Sequence, residues 1–122
     1  MARPLATIVE EMLDYIGQAH EYTAGMTKQQ FQYDGKTLRA IERCLEVISE
    51  ASRHIPQEIK DKYPQIEWRK VAGAGNVLRH VYHSIAVDII WDTVKVHLPQ
   101  LETVIREIEV GLPDDDDPPP AA

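Results

Sequence analysis

The sequence contains a single cysteine, Cys44, and it has no run of about 20 apolar residues. One cysteine excludes an internal disulfide framework and favours a reducing compartment. The lack of a long apolar run excludes a membrane-spanning helix, and the N-terminus shows no signal-peptide pattern. We therefore expect a cytoplasmic protein that makes no contact with membranes. Because Cys44 lies on the apolar stripe of a predicted helix, we interpret it as a buried packing residue.

Positive charge is also scarce in the sequence. Only 13 lysines and arginines oppose 20 acidic residues, and the formal net charge is −7. The run Asp114–Asp117 supplies part of this excess, so the remaining chain is only mildly acidic. This balance excludes nonspecific binding along a nucleic acid, which requires many lysine and arginine contacts with phosphates. Any contact with RNA must therefore use a small, focused basic patch.

Apolar residues recur at helical spacing in four stretches, and strand patterns are almost absent. The two clearest stripes consist of Ile8, Met12, Tyr15, Ile16 and Ala19, and of Leu38, Ile41, Cys44, Leu45, Ile48, Ala51 and Ile55. Trp68 and Trp91 have apolar neighbours and are predicted to anchor the core. The pattern predicts an all-α, four- to five-helix up-down bundle. We expect one helical domain over residues 1–110 and a disordered, acidic and proline-rich tail over residues 111–122.

Turn signals place the ends of these helices. The first helix should follow Pro4, and one short turn is expected at 28–31 within a turn-prone stretch. Pro56 should stop the second long helix and open a short one that ends near Tyr63. The next helix is predicted to start near Glu67 and to run past Tyr82. Its packing face should consist of apolar residues that recur at spacings of 3 and 4, namely Val71, Ala74, Leu78, Val81 and Ile85. A last helix should begin near Asp88 and be kinked or broken at Pro99.

The segment 69–83, RKVAGAGNVLRHVYH, contains no acidic side chain although the chain is acidic. Arg69, Lys70 and Arg79 share it with His80 and His83, and such a local inversion of charge suits a polyanion such as RNA. If the segment is one helix, the residues opposite Leu78 fall within about 80° of one another. These residues are Arg69, Gly73, Asn76, His80 and His83.

This polar face can support acid–base chemistry on RNA. His80 is the best candidate base or acid because the unperturbed pKa of histidine lies near 6.5. Asn76 could hold a phosphate oxygen or fix the histidine tautomer. An amphipathic helix also turns such a face to solvent without any function, so the residues alone leave both interpretations open.

Two further interpretations concern the same segment. His80 and His83 could begin a metal site, but no matching carboxylate or cysteine accompanies them, and we expect neither a metal nor another cofactor. The stretch 73–75, Gly-Ala-Gly, lacks the lysine and hydroxyl that follow a phosphate-binding glycine loop. These small residues more plausibly let another helix come close, which suggests dimerisation through this surface.

Four separate blocks of the sequence resemble a known family in order and spacing. They are EYTAG (21–25), the stretch 36–51 with LEVISEA, YPQIEWRKVAG (63–73) and VDIIWDTVKVHLPQL (87–101). Together they are similar to HepT-like proteins of the HEPN superfamily across about residues 3–109. The resemblance implies a four- or five-helix bundle that pairs as a homodimer, with a composite cleft between the two copies.

The resemblance also implies a function. HepT-like proteins are metal-independent ribonucleases and form the toxin half of a toxin–antitoxin module. Their partner is a small nucleotidyltransferase antitoxin that attaches adenylyl groups to a tyrosine near the catalytic histidine. Two alternatives remain: a HEPN domain that binds RNA or a nucleotidyltransferase without cleaving RNA, and a purely structural helical partner in a larger complex.

The family motif is an arginine, a polar residue, three further residues, histidine, any residue and tyrosine. Asn76 matches the polar residue, His80 the histidine and Tyr82 the tyrosine, whereas Gly75 stands where the family has arginine. Tyr82 would accept the modification and help to position the phosphate. On one continuous helix, Arg79 follows Gly75 by one turn and leans back over it, so we expect Arg79 to replace the missing arginine. Arg69, Lys70 and His83 are further candidate RNA contacts.

Overall fold

The computed structural model describes residues 3–77 and 80–112, with only the backbone of Val77. All regular elements in these ranges are helices, which confirms the predicted all-α bundle. Leu78, Arg79 and the predicted tail from Pro113 onward lie outside the described residues. The elements are α1 (Leu5–Thr23), α2 (Lys28–Gln32), α3 (Gly35–Ser52), α4 (Gln57–Lys60), α5 (Trp68–Val77), α6 (His83–Asp92), a π-helical turn (Thr93–His97) and α7 (Leu98–Val110).

Local hydrogen bonds explain why the first three helices begin where they do. Pro4 precedes α1, where its missing N–H has no cost. Thr27 and Gln30 form a capping box at α2, with the Gln30 N–H donating to the Thr27 hydroxyl at 3.1 Å. Asp34 caps α3 by accepting from the Thr37 N–H at 3.0 Å, and this hydrogen bond lowers the pKa of the Asp34 carboxyl.

The apolar stripes predicted for α1 and α3 form most of the core. Ile16 and Ile41 are fully buried, as are most of their stripe neighbours, while Tyr15 is partly exposed. Cys44 is buried as predicted, and burial raises the pKa of its thiol. Trp91 packs against Phe31 with ring centroids 5.3 Å apart, which joins α2 to α6.

Two contacts near the C-terminal end of α1 show that α1 and α7 run antiparallel. The Lys95 ammonium of the π turn donates to the carbonyl of Thr23 at 3.3 Å, at the end of α1. One turn earlier in α1, His20 lies 3.4 Å from the Glu102 carboxylate of α7. Lys95 also lies 4.9 Å from the Trp91 ring centroid. The segment from α6 to α7 is therefore one long, interrupted helix that spans the bundle.

Several predicted helix ends differ from the structure. The helix α3 ends at Ser52, before Pro56, and α4 ends at Lys60. The expected break near Pro99 is present as the π turn directly before α7, because proline has no N–H to donate to the carbonyl four residues earlier. The last stretch begins at His83, and Asp88 lies inside α6 instead of capping it. None of the described helices is long and apolar enough to cross a bilayer.

Candidate functional site

The start of α5 is fixed by contacts with the segment that precedes it. The Trp68 indole N–H donates to the carbonyl of Tyr63 at 3.2 Å, and the Lys60 ammonium lies 5.9 Å from the Trp68 ring centroid. The Glu67 carbonyl accepts the Lys70 N–H at 2.9 Å and opens the first turn. Because Trp68 is partly buried against the core, as predicted, the register of α5 is set at this end.

Further along, α5 packs closely against α3. The Ala72 carbonyl accepts from the Ser49 hydroxyl at 2.6 Å and from the Arg53 guanidinium at 2.8 Å. A Cβ atom added at Gly75 would lie 3.6 Å from Cγ of Glu46. These pairs show that α3 and α5 run antiparallel, with Ala72 and Gly75 on the face of α5 that meets α3. The position of the family arginine therefore faces α3 of the same chain.

The helix α5 does not continue past Tyr82, and this corrects the prediction of one helix across the central segment. It ends at Val77, and α6 starts at His83 after Tyr82, whose backbone is extended at φ −64° and ψ 153°. Gly75 and Asn76 are poor helix formers near this end. The interruption lets the Ala86, Val87 and Ile90 face of α6 turn into the core.

The interruption changes which side chains share a face. His80 lies in the connection between α5 and α6, so the predicted single stripe from Arg69 to His83 does not exist. Ile85, which was expected on the packing face, is 46% exposed for the same reason. Because α5 ends at Val77, the expected placement of Arg79 over Gly75 on one continuous helix has no basis. Arg79 itself lies outside the described residues, so its role stays a prediction.

Three residues of the predicted site nevertheless reach solvent at this interruption. Asn76 and His80 are exposed, and Tyr82 is 82% exposed. Chain geometry keeps the Cα atoms of His80 and Tyr82 within about 7 Å of each other, and those of Asn76 and His80 within about 14 Å. His83 is exposed as well, in the first turn of α6. The interruption thus gathers an imidazole, an amide and a phenol on an accessible surface.

The sequence reasoning missed a further feature, the N-terminus of α6. Tyr82 occupies the cap position, and its side chain makes no capping hydrogen bond. The first N–H groups of a helix have no partner within the helix and carry a partial positive charge. These N–H groups begin at His83, three residues after His80 in the chain, and a phosphate group could accept hydrogen bonds from them. Gly73 and Gly75 are weak signals that the preceding helix could end early, but the continuous apolar spacing favoured one helix and hid the start of α6.

The surroundings of the central segment are less basic than its sequence suggests. Lys70 forms an ion pair with Glu67 at 2.8 Å, and Arg53 forms one with Glu50 at 3.0 Å. The hydrogen bond from Lys70 lowers the pKa of Glu67, and the charges of Lys70 and His97 add to this effect. Glu67, two residues before the segment, therefore partly neutralises Lys70. Arg69 remains on the exposed surface of α5.

Within the described ranges, no group of three or more histidine, cysteine, aspartate or glutamate side chains is placed to hold a metal ion. The imidazoles of His80 and His83 thus have no described carboxylate or thiol that completes a ligand set. What the interruption offers chemically is an exposed imidazole that lies, along the chain, between Asn76 and the N-terminus of α6.

The arrangement is that of an all-helical bundle with an exposed polar site at a helix interruption. The family model described as "Ribonuclease HepT-like" matches residues 12–108. A protein of Methanocaldococcus jannaschii named "Putative RNase MJ0127" is 38% identical over 109 residues, covering 86% of this chain and 87% of that protein. A protein of Thermococcus cleftensis named "Probable ribonuclease HepT" is 35% identical over 102 residues, covering 84% and 93%.

The chain therefore belongs to the HepT-like family of the HEPN superfamily, as its sequence blocks predicted. No solved structure matches the chain significantly.

Proposed function

We propose that this chain is a metal-independent endoribonuclease that acts in the cytoplasm. The observation that carries the proposal is the exposure of Asn76, His80 and Tyr82 at the interruption between α5 and α6. A histidine that acts on a large polymer must be reachable, and His80 is. Membership of a ribonuclease family supports the same assignment.

His80 is assigned the proton transfers of the reaction. As a base, it takes the proton of a ribose 2′-hydroxyl, whose oxygen then attacks the adjacent phosphorus. The bond from phosphorus to the 5′-oxygen breaks, and that oxygen takes a proton from an imidazolium. Asn76 donates its amide hydrogens to a phosphate oxygen. Arg79 stabilises the negative charge that grows on the phosphate, and the α6 N–H groups support it.

A second copy of the chain completes this site in the proposal. Two imidazoles, one from each protomer, allow one to act as base while the other acts as acid. Tyr82 and Ile85 follow His80 by two and five residues in the chain, and both are exposed and offer apolar surface for such a contact. The proposal thus includes a homodimer with the cleft between its protomers. Arg69, Lys70 and His83 are proposed to contact the RNA strand that enters this cleft.

The proposed physiological role is that of a toxin neutralised by a nucleotidyltransferase antitoxin. Tyr82 is the proposed acceptor of adenylyl groups, since its side chain is 82% exposed and a modifying enzyme can reach its hydroxyl. An adenylyl group there adds negative charge beside His80 and blocks the approach of RNA. A Tyr82→Phe protein incubated with the transferase and ATP should gain no mass. A gain equal to that of the wild type would remove Tyr82 as the acceptor.

One observation favours a second candidate function. Gly75 replaces the family arginine, and a Cβ atom placed there would lie 3.6 Å from Cγ of Glu46 on α3, so this position has no cation and has an acidic residue as its neighbour. A domain that binds RNA or the nucleotidyltransferase without cleaving RNA is therefore the alternative.

The proposal is tested by incubating the purified protein with total RNA, with and without a chelator. We expect cleavage in both conditions, a loss of about 100-fold or more in His80→Ala, and a comparable loss in Arg79→Ala. His20→Ala is the matched control, because His20 is a partly exposed histidine of α1 that pairs with Glu102 of α7 and belongs to neither α5 nor α6. Expression in a bacterial host should arrest growth with the wild type but not with His80→Ala. Binding of RNA without cleavage would establish the alternative instead.

A further inference from the structure

The Ala72 carbonyl of α5 is held from outside its own helix by two side chains of α3. The Ser49 hydroxyl donates at 2.6 Å and the Arg53 guanidinium at 2.8 Å. A backbone carbonyl has two lone pairs and can accept more than one hydrogen bond. Backbone carbonyls inside a helix normally accept only from the N–H four residues later. Double occupation by a neighbouring helix is thus a specific contact between α3 and α5.

The two donors differ in how they are held, because Ser49 is buried whereas the Arg53 side chain is 53% exposed and is oriented by an ion pair. Ser49 is buried, so its hydroxyl has no access to bulk water and depends on Ala72 as a partner. The other amino group of Arg53 donates to Glu50 at 3.0 Å, which orients the guanidinium toward α5. The buried hydroxyl of Ser52, by contrast, donates to the Ser49 carbonyl within α3 at 2.7 Å. Among these neighbours, Ser49 and Arg53 are the ones that reach across to α5.

The position of this carbonyl connects it to the site. The N–H that a regular α-helix directs at the Ala72 carbonyl is that of Asn76, one turn later. The two α3 donors therefore act on the turn that carries Asn76 and that ends at the interruption before His80. Only a few residues separate the contact from the end of α5.

We propose that Ser49 and Arg53 are positioning residues: through the Ala72 carbonyl they set where α5 ends and so how Asn76 is presented beside His80. Neither side chain contacts RNA. The catalytic consequence rests on the proposed ribonuclease function, whereas the effect on α5 does not.

The kinetic test compares Ser49→Ala and Arg53→Ala with the wild type at several RNA concentrations. We expect kcat to fall about tenfold to 100-fold with little change in KM, because a displacement of about 1 Å costs on the order of 100-fold in rate. Ser49→Thr keeps the hydroxyl and should restore most of kcat. Ser52→Ala and Arg106→Ala are matched controls, since Ser52 is a buried serine of α3 and Arg106 pairs with Glu102 in its own helix. Their kcat should stay at the wild-type value.

Amide hydrogen exchange gives a second readout that does not depend on activity. In Ser49→Ala and Arg53→Ala the amides of 75–77 should exchange about threefold to tenfold faster, the range expected for one lost hydrogen bond. The amides of α3 and α7 should be unchanged, and so should every amide of α5 in the two controls. If the wild type does not cleave RNA, the proposed ribonuclease function fails. The exchange data then decide by themselves whether Ser49 and Arg53 hold the end of α5.

Three results would overturn the inference. Exchange at 75–77 that matches the wild type would show that the contact does not hold α5. Faster exchange with unchanged kcat would show that the contact does not position the site. An equal loss of kcat in Ser52→Ala would assign the effect to general loosening of the bundle.

Discussion

The missing arginine can be put back, and the structure indicates what this does. An added Cβ at Gly75 meets Cγ of Glu46 at 3.6 Å and its Cα at 3.9 Å, which are ordinary van der Waals distances. The Cβ atom that Gly75→Arg adds therefore creates no clash with α3. Glycine is about 1 kcal/mol less favourable than alanine inside a helix and arginine is close to alanine, so we expect α5 to gain about 0.5–1 kcal/mol.

The same change supplies a guanidinium directly before Asn76. Removing one donor that stabilises a developing oxyanion costs about 100- to 1,000-fold in rate. Glu46 lies beside the position of the new side chain, and its carboxylate competes with the phosphate for the guanidinium. We therefore expect a smaller gain, about tenfold in kcat. In the Arg79→Ala background, where the proposed cation is absent, Gly75→Arg should restore cleavage by at least the same factor.

Single-turnover cleavage of a labelled RNA measures this gain, and urea unfolding measures the stability change. Gly73→Arg is the matched control, because it adds the same positive charge to the same helix. A Cβ atom at Gly73 has no neighbouring atom within 4 Å among the described residues, so this arginine does not face α3. It should stabilise α5 similarly without raising kcat. His80→Ala must abolish the gain.

Two results would refute the reasoning. An equal rise in Gly73→Arg would mean that added positive charge only improves RNA binding. No rise at Gly75, with a folded and stable protein, would mean that position 75 does not face the reacting phosphate.

Three further predictions concern stability and accessibility. Ile90→Ala should lower the free energy of unfolding by about 2–5 kcal/mol, because the side chain is fully buried, whereas Val110→Ala, at a position 85% exposed, should change it by less than about 0.5 kcal/mol. The folded pKa of Asp34 lies below its ordinary value of 3.8, so the stability that its carboxylate contributes is complete above that value and is lost as the pH falls through the folded pKa. Asp34→Asn retains a helix cap but does not titrate, so its free energy of unfolding in urea should fall less steeply with acid than that of the wild type. The buried Cys44 thiol, with its raised pKa, should react with a thiol reagent only at the rate of unfolding, and rapid labelling of the native protein would contradict its burial.

Much of the fold follows from local sequence rules. The stripes of α1 and α3 predicted buried residues such as Ile16 and Ile41 because a helix buries one face at a period of 3.6 residues. Pro99 predicted an interruption near its position because it removes a backbone donor. The family was also readable from the sequence blocks.

The site was predictable only in its residue types. The apolar spacing from Val71 to Ile85 fits one helix, so the sequence concealed the interruption that places His80 and Tyr82 on the surface. Spacing reports which residues can share a face only if the helix is continuous, and continuity depends on where the following helix must pack. Here the buried face of α6 decides it.

What the amino-acid order by itself determined is therefore the helical class and the core stripes of α1 and α3, and it predicts Asn76, His80 and Tyr82 as candidate site residues. Only the tertiary structure decided that Gly75 faces Glu46 and that α3 holds the Ala72 carbonyl. The physical reason is that periodicity is a property of one helix, whereas these contacts depend on how two helices distant in the chain pack against each other.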